Sequence, residues 1–163
     1  MKHFDDDDFD SDDAISHNER EEISARFEKE RRETESHPLY AQAIEAEGTL
    51  DALMNNSDEE QDPITRSQTQ LLKDSMLQVK AKLYSALQSK NYFISMQNAA
   101  IIREHAEYLR LSSQMLKRLP GFDPTYVAVF RTEMETFREL FKTWAADIKT
   151  IDKDGLEDEW GLL

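Results

Sequence analysis

This sequence predicts an all-α protein. The expected architecture is an antiparallel, up-down-up-down four-helix bundle over residues 37–151. An acidic N-terminal arm (1–36), disordered or partly helical, precedes it, and a short acidic C-terminal tail (152–163) follows. Three observations carry the prediction. From position 38 onward, apolar residues recur three and four apart, the spacing of one helix face. No run alternates with period two, so no strand pattern competes. Asp-Pro dipeptides at 62–63 and 123–124, and Leu-Pro-Gly at 119–121, supply helix starts and a stop.

Residues 1–17 are low-complexity and acidic, with Phe4 and Phe9 isolated among aspartates. So little apolar surface does not offset the entropy of ordering the chain, and disorder is expected. Residues 18–35 favour helix but offer only Ile23 and Phe27 as an apolar pair, which suits a frayed or partner-dependent helix. Pro38 opens the first bundle helix, because proline at the first helical position forfeits no hydrogen bond. Its stripe is Tyr40, Ala43, Ile44, Leu50, Leu53 and Met54, weakened by Gly48, and the polar loop NNSDEEQD ends it.

The second bundle helix starts at the Asp62 cap and carries Leu72, Met76, Val79, Leu83 and Ala86, spaced 4, 3, 4, 3. The third carries Ile94, Ile101, Tyr108 and Met115. The fourth has Val127, Phe130, Met134, Phe137, Phe141, Trp144, Ile148 and Ile151, a 3.5-residue repeat that marks the seam of closely aligned helices, and Gly155 closes it. Between the second and third helices QSKN holds neither Gly nor Pro, yet the apolar phase slips by one residue. A turn at Ser89–Asn91 explains the slip, as would a stutter in one helix from 64 to 118 of roughly 80 Å. Ordinary helix lengths favour the turn.

Charge divides the chain as sharply as hydropathy does. Residues 1–36 hold 14 acids and 6 bases (net −8), residues 37–62 hold 7 acids and no Lys or Arg (net −7), and residues 152–163 hold 5 acids and 1 base (net −4). Residues 63–151, with 8 acids and 13 bases, are net +5. No cysteine is present, which excludes disulfides, thiolate chemistry and Cys-based zinc sites. The first residues, MKHFDDDDFDSDD, have no apolar stretch for a secretory signal, and no run is long and apolar enough to span a bilayer. A soluble cytoplasmic protein is the expectation.

The most unusual pattern lies in the third bundle helix, where Asn98, His105 and Ser112 recur every seven residues down an apolar face. Ile94, Ile101, Tyr108 and Met115 lie about 60° to one side of this line, and Ile102, Leu109 and Leu116 about 40° to the other. A core imidazole could be a metal ligand or proton carrier. A di-metal bundle, however, requires Glu-x-x-His pairs and further inward glutamates, and the sequence has no Glu-x-x-His. The facing seams of the second and fourth helices read as wholly apolar. The preferred reading is therefore a structural polar ladder that fixes helix register, with Ser112 satisfied by the carbonyl four residues earlier.

The run AKLYSALQSKNYFISMQNAAIIREHAEYL (81–109) resembles a group of uncharacterised bacterial four-helix bundle proteins, themselves distantly similar to the ribosomal-RNA intervening-sequence protein family. The matching positions are Ala81, Lys82, Ala86, Tyr92, Met96, Asn98, Ala99, Ile101, Ile102, Arg103 and Leu109, with the ending Asp158, Glu159, Trp160, Gly161 and Leu162. Tyr84, Ser85, Ser89 and His105 depart from the group's small residues. The resemblance implies the bundle and a turn near residue 89, and it implies no catalytic residues.

Other chemistry finds little footing. TIDKDGLEDEWG fails as a calcium loop: with Gly155 at the sixth position, Thr150 and Gly161 stand where acids are required. There is no glycine-flanked serine and no phosphate-cradling glycine loop, so no catalytic residue, metal site, cofactor or small-molecule substrate is expected. Arg66, Lys73 and Lys80 are seven apart on the second helix, and Arg103, Arg110 and Lys117 seven apart on the third, while Arg131 and Arg138 flank the fourth seam. These are candidate phosphate contacts, weighed against the plainer reading of solvated flanks paired with acids. Trp160 and Leu162, set among acids, are candidates for docking on a basic groove or for folding back over the bundle end. The expected role is a non-catalytic interaction or scaffold protein, with a protein partner or a homo-oligomer. RNA association through the basic lines is the alternative, and a metal or proton-transfer site at His105 comes third.

Overall fold

The computed structural model describes residues 16–55 and 62–151. Five helices fill them: α1 (His17–Glu35), α2 (Pro38–Asn55), α3 (Pro63–Gln88), α4 (Tyr92–Leu116) and α5 (Pro124–Ile148). The described residues are all-helical, without a strand, and no helix among them is long and apolar enough to cross a membrane. Helices α2 to α5 fall on the four stretches that the apolar spacing marks. Residues 17–35 of the acidic arm form a 19-residue helix as well. Phe4 and Phe9, residues 56–61, and residues 152–163 with Trp160 and Leu162 lie outside the described residues.

Each helix start is built by the residue that precedes it. Asp62 accepts the N–H groups of Ile64 (2.9 Å) and Thr65 (3.2 Å), and Pro63 brings no N–H that would need a partner. Asp123 and Pro124 repeat the device, with the Thr125 N–H at 2.8 Å. Ser16 and Glu19 cap α1 reciprocally, each side chain meeting the other's backbone N–H. The break between α3 and α4 is a turn at Ser89–Asn91, as the phase slip suggests. Asn91 does there what Gly and Pro do elsewhere, its side chain accepting from Phe93 (2.9 Å) and Ile94 (3.2 Å) to start α4. Between α4 and α5, Gly121 takes φ 86°, a left-handed conformation costly for any side-chain-bearing residue.

The helices pack in a closed circuit: α2 on α3, α3 on α4, α4 on α5, and α5 back on α2. α1 rests lightly on α2 and α3. The core inside the circuit holds Leu39, Leu50 and Leu53 of α2, Leu72, Met76, Val79 and Leu83 of α3, and Phe130, Met134 and Phe137 of α5.

Three details depart from the sequence reading. The last helix stops at Ile148 rather than running to Gly155: Lys149 caps it, and Thr150 and Ile151 turn back onto the Asp147 and Ile148 carbonyls. On α4 the buried line is Ile102, Leu109 and Leu116, whereas Ile94 and Met115 are 46% and 47% exposed. Both lines have the same spacing, and only the placement of α3 and α5 on either side selects between them. The α3 seam is also not wholly apolar, since Thr65, Thr69 and Ser75 are buried in it. Short hydroxyls are tolerated there because each finds an acceptor or partner: Asp62 for Thr65, the Arg66 carbonyl for Thr69, and His105 for Ser75.

Candidate functional site

The polar line of α4 faces α3. Asn98, buried, donates to the Ser85 hydroxyl at 3.5 Å, and His105 Nδ1 lies 3.3 Å from Ser75 Oγ. Ser112 does not join them: its side chain has no hydrogen bond among the described residues. Its buried neighbour Ser113 instead donates back to the Arg110 carbonyl at 3.0 Å. The line is therefore two rungs between α3 and α4, not three.

A Ser–His contact invites comparison with a nucleophile and its base. Such a pair needs a third group to orient the imidazole and free N–H groups to receive an oxyanion. Among the described residues the His105 imidazole has no hydrogen-bond partner besides Ser75, and both residues sit mid-helix, where backbone N–H groups are already engaged. No group of three His, Asp or Glu side chains comes together in a metal-holding cluster among the described residues.

The eight basic candidates fall into three groups. Lys80 pairs with Glu47 at 2.5 Å, Arg110 with Glu107 (2.6 Å) and Glu135 (3.2 Å), and Arg138 with Glu135 (3.0 Å) and Glu139 (3.3 Å). Arg131 is half-buried, and its Nε has no hydrogen-bond partner among the described residues. Arg66, Lys73, Arg103 and Lys117 are exposed and have no ion pair among the described residues. Hydrogen bonds from Arg110 hold the Glu107 carboxyl below the usual carboxylate range, and those from Lys142 do the same for Glu139. The α4/α5 flank is thus a lattice of alternating charges.

Beneath that lattice runs a groove of about 760 Å³ between α4 and α5. Its floor is apolar, formed by Ala106, Met134, Phe137 and Phe141, and Ala100, Arg103, Glu104 and Lys142 stand among its walls. Phe137 and Phe141 stack at 6.4 Å, and Phe141 meets Trp144 at 5.6 Å, giving an aromatic strip along α5. A smaller depression of about 330 Å³ lies where α4 ends beside Arg131. It is lined by Leu111, Gln114, Met115, Lys117, Arg118 and Arg131, with no acid among them. No family model, curated protein or solved structure matches this chain.

Sequence reasoning did not find Ser75 and Ser85, which on a helical wheel look like ordinary flank residues. It also passed over Glu133. That side chain accepts from Thr49 at 2.8 Å across α2 and α5, its second oxygen is buried without a partner among the described residues, and burial raises its pKa. The groove was legible only as a seam, because spacing alone does not show that Phe141 stays half-buried.

Proposed function

We propose that α2 to α5 form an antiparallel, up-down-up-down four-helix bundle that serves as a cytoplasmic, non-catalytic interaction or scaffold module and docks protein on its α4/α5 face. The closed circuit of contacts and the short Ser89–Asn91 connection support the bundle. The two polar rungs add to this: Asn98 meets Ser85, and His105, seven residues further on, meets Ser75, ten residues earlier, the register of oppositely directed helices. The resemblance to the bacterial bundle group fits the same arrangement.

The observation that carries the interaction role is the groove. An apolar floor with stacked aromatics, walled in large part by charges paired with one another through Glu107, Arg110, Arg138 and Lys142, gains from covering by an apolar partner surface and offers little to a small polar substrate. Ala100 tests it, being an exposed wall residue whose replacement does not disturb the core. Wild-type protein is expected to retain partner proteins that Ala100→Glu loses at unchanged melting temperature. Identical capture by both forms, or by neither, contradicts the reading.

A second reading, RNA association, is favoured by the four exposed, unpaired cations Arg66, Lys73, Arg103 and Lys117. It requires an affinity for RNA that falls steeply with salt and is lost when all four become alanine.

A further inference from the structure

The depression at the end of α4 differs in kind from the groove beside it. Lys117 and Arg118 are exposed, Arg131 completes the set, and no acid among the described residues forms an ion pair with any of the three. Between them Leu111 and Met115 are 50% and 47% exposed. A surface of three cations around two large apolar side chains fits a segment in which a short run of acids is flanked closely by large apolar residues.

The chain contains such a segment. Residues 156–163, LEDEWGLL, set Glu157, Asp158 and Glu159 between Leu156 and the apolar pair Trp160 and Leu162. The other acidic stretches fit less well. NSDEEQ (56–61) has no apolar residue, and the arm spreads only two large aromatic side chains, Phe4 and Phe9, among seven aspartates.

Reach decides which molecule's tail is placed there. Arg131 lies twenty residues before Ile151 on α5 and its closing turn, roughly 30 Å at the helical rise. From Ile151 back to Glu157–Glu159 a fully extended chain spans only about 20 to 29 Å. Within one molecule the acids would meet the cations only with every residue stretched, which is entropically costly. A neighbouring molecule carries no such restriction. We propose that the C-terminal segment of one copy, led by Glu157, Asp158, Glu159 and Trp160, docks on the Lys117/Arg118/Arg131 depression of a second copy. Two copies can exchange tails reciprocally and close a dimer, or they can add head to tail. This rests on the α4/α5 face being a docking face but uses residues outside the groove, so it can fail while groove-dependent capture survives.

The test uses full-length chains and sedimentation over a range of concentrations, with circular dichroism to confirm folding. Wild-type mass should rise with concentration and fall with added salt. Lys117→Glu/Arg118→Glu, at two exposed positions, should weaken association about tenfold or more. Glu157→Lys/Glu159→Lys should do the same, and an equimolar mixture of the two variants should regain mixed association. In a Trp144→Phe background, Trp160 should be shielded from acrylamide at high protein concentration and exposed at low. A monomer at every concentration, association indifferent to these charges, failed regain in the mixture, or Trp160 shielding independent of concentration would each overturn the proposal.

Discussion

His37 sits between α1 and α2, and its imidazole starts the second of them. Nδ1 accepts the Leu39 N–H at 3.2 Å, and the His37 carbonyl receives the N–H groups of Tyr40 and Ala41. Only an unprotonated Nδ1 can accept, so the cap works in the neutral ring. Burial lowers the His37 pKa below its ordinary 6.5, and the Asp147 carboxylate on α5 opposes that shift only in part. The folded protein then binds this proton more weakly than the unfolded chain does. Stability from His37 is therefore fully present above pH 6.5 and is lost as pH falls through the lowered folded value. Melting temperatures from pH 7.5 to 5 should decline in the wild type and decline less in His37→Asn, which caps without titrating. Asp147→Asn should steepen the wild-type decline, because it removes a charge that favours the imidazolium. Equal slopes in all three proteins would show that the cap does not titrate in this range.

At the scale of the helix, Gly48 has the clearest consequence. It is exposed in mid-α2, and a Cβ built on it would meet nothing within 4 Å. Gly48→Ala should therefore gain the helix-propensity difference unopposed, about 0.5–1 kcal/mol, raising the melting temperature by roughly 1–4 °C for a chain of this size. No change, or a loss, would mean that this turn of α2 needs glycine for a reason other than space.

The helices also show where sequence is informative and where it stops. Asp62-Pro63, Asp123-Pro124 and the 3.5-residue repeat of α5 are local signals, and the elements begin where these signals place them, although α5 stops at Ile148, one step of its repeat before Ile151. The turn at Ser89–Asn91 is legible in the apolar phase slip, whereas the Asn91 side chain as the cap of α4 shows only in the structure. The choice between the 94/101/108/115 and 102/109/116 lines on α4 is not local, because it depends on which side each neighbouring helix occupies. The hydroxyl partners Ser75 and Ser85 were hidden for the same reason, as a serine on a helix flank reads alike whether it faces solvent or another helix. His37 was hidden differently: Pro38 announced the helix, but nothing in the sequence shows an imidazole acting as its cap.

Across the whole molecule, stability is expected to be uneven, with the division falling between α1 and the rest. Helices α2 to α5 share one core in which each element buries large side chains. α1 buries only Thr34, and Phe27 is 58% exposed. What holds α1 is local: the Ser16/Glu19 capping box and i,i+4 pairs such as Arg26–Glu30, Glu28–Arg32 and Arg31–Glu35. Pairs of this kind contribute about 0.2–0.5 kcal/mol each and are screened by salt. A helix of 19 residues supported in this way is marginal in water. Hydrogen exchange should therefore show α1 opening with a free energy of about 0–2 kcal/mol, well below the global value shared by the buried turns of α3 and α4. Raising salt to about 0.5 M should speed exchange in α1 further while leaving those core turns nearly unchanged, because their protection comes from apolar burial. Protection of α1 equal to that of α4 would require a packing contribution that its single buried residue does not supply.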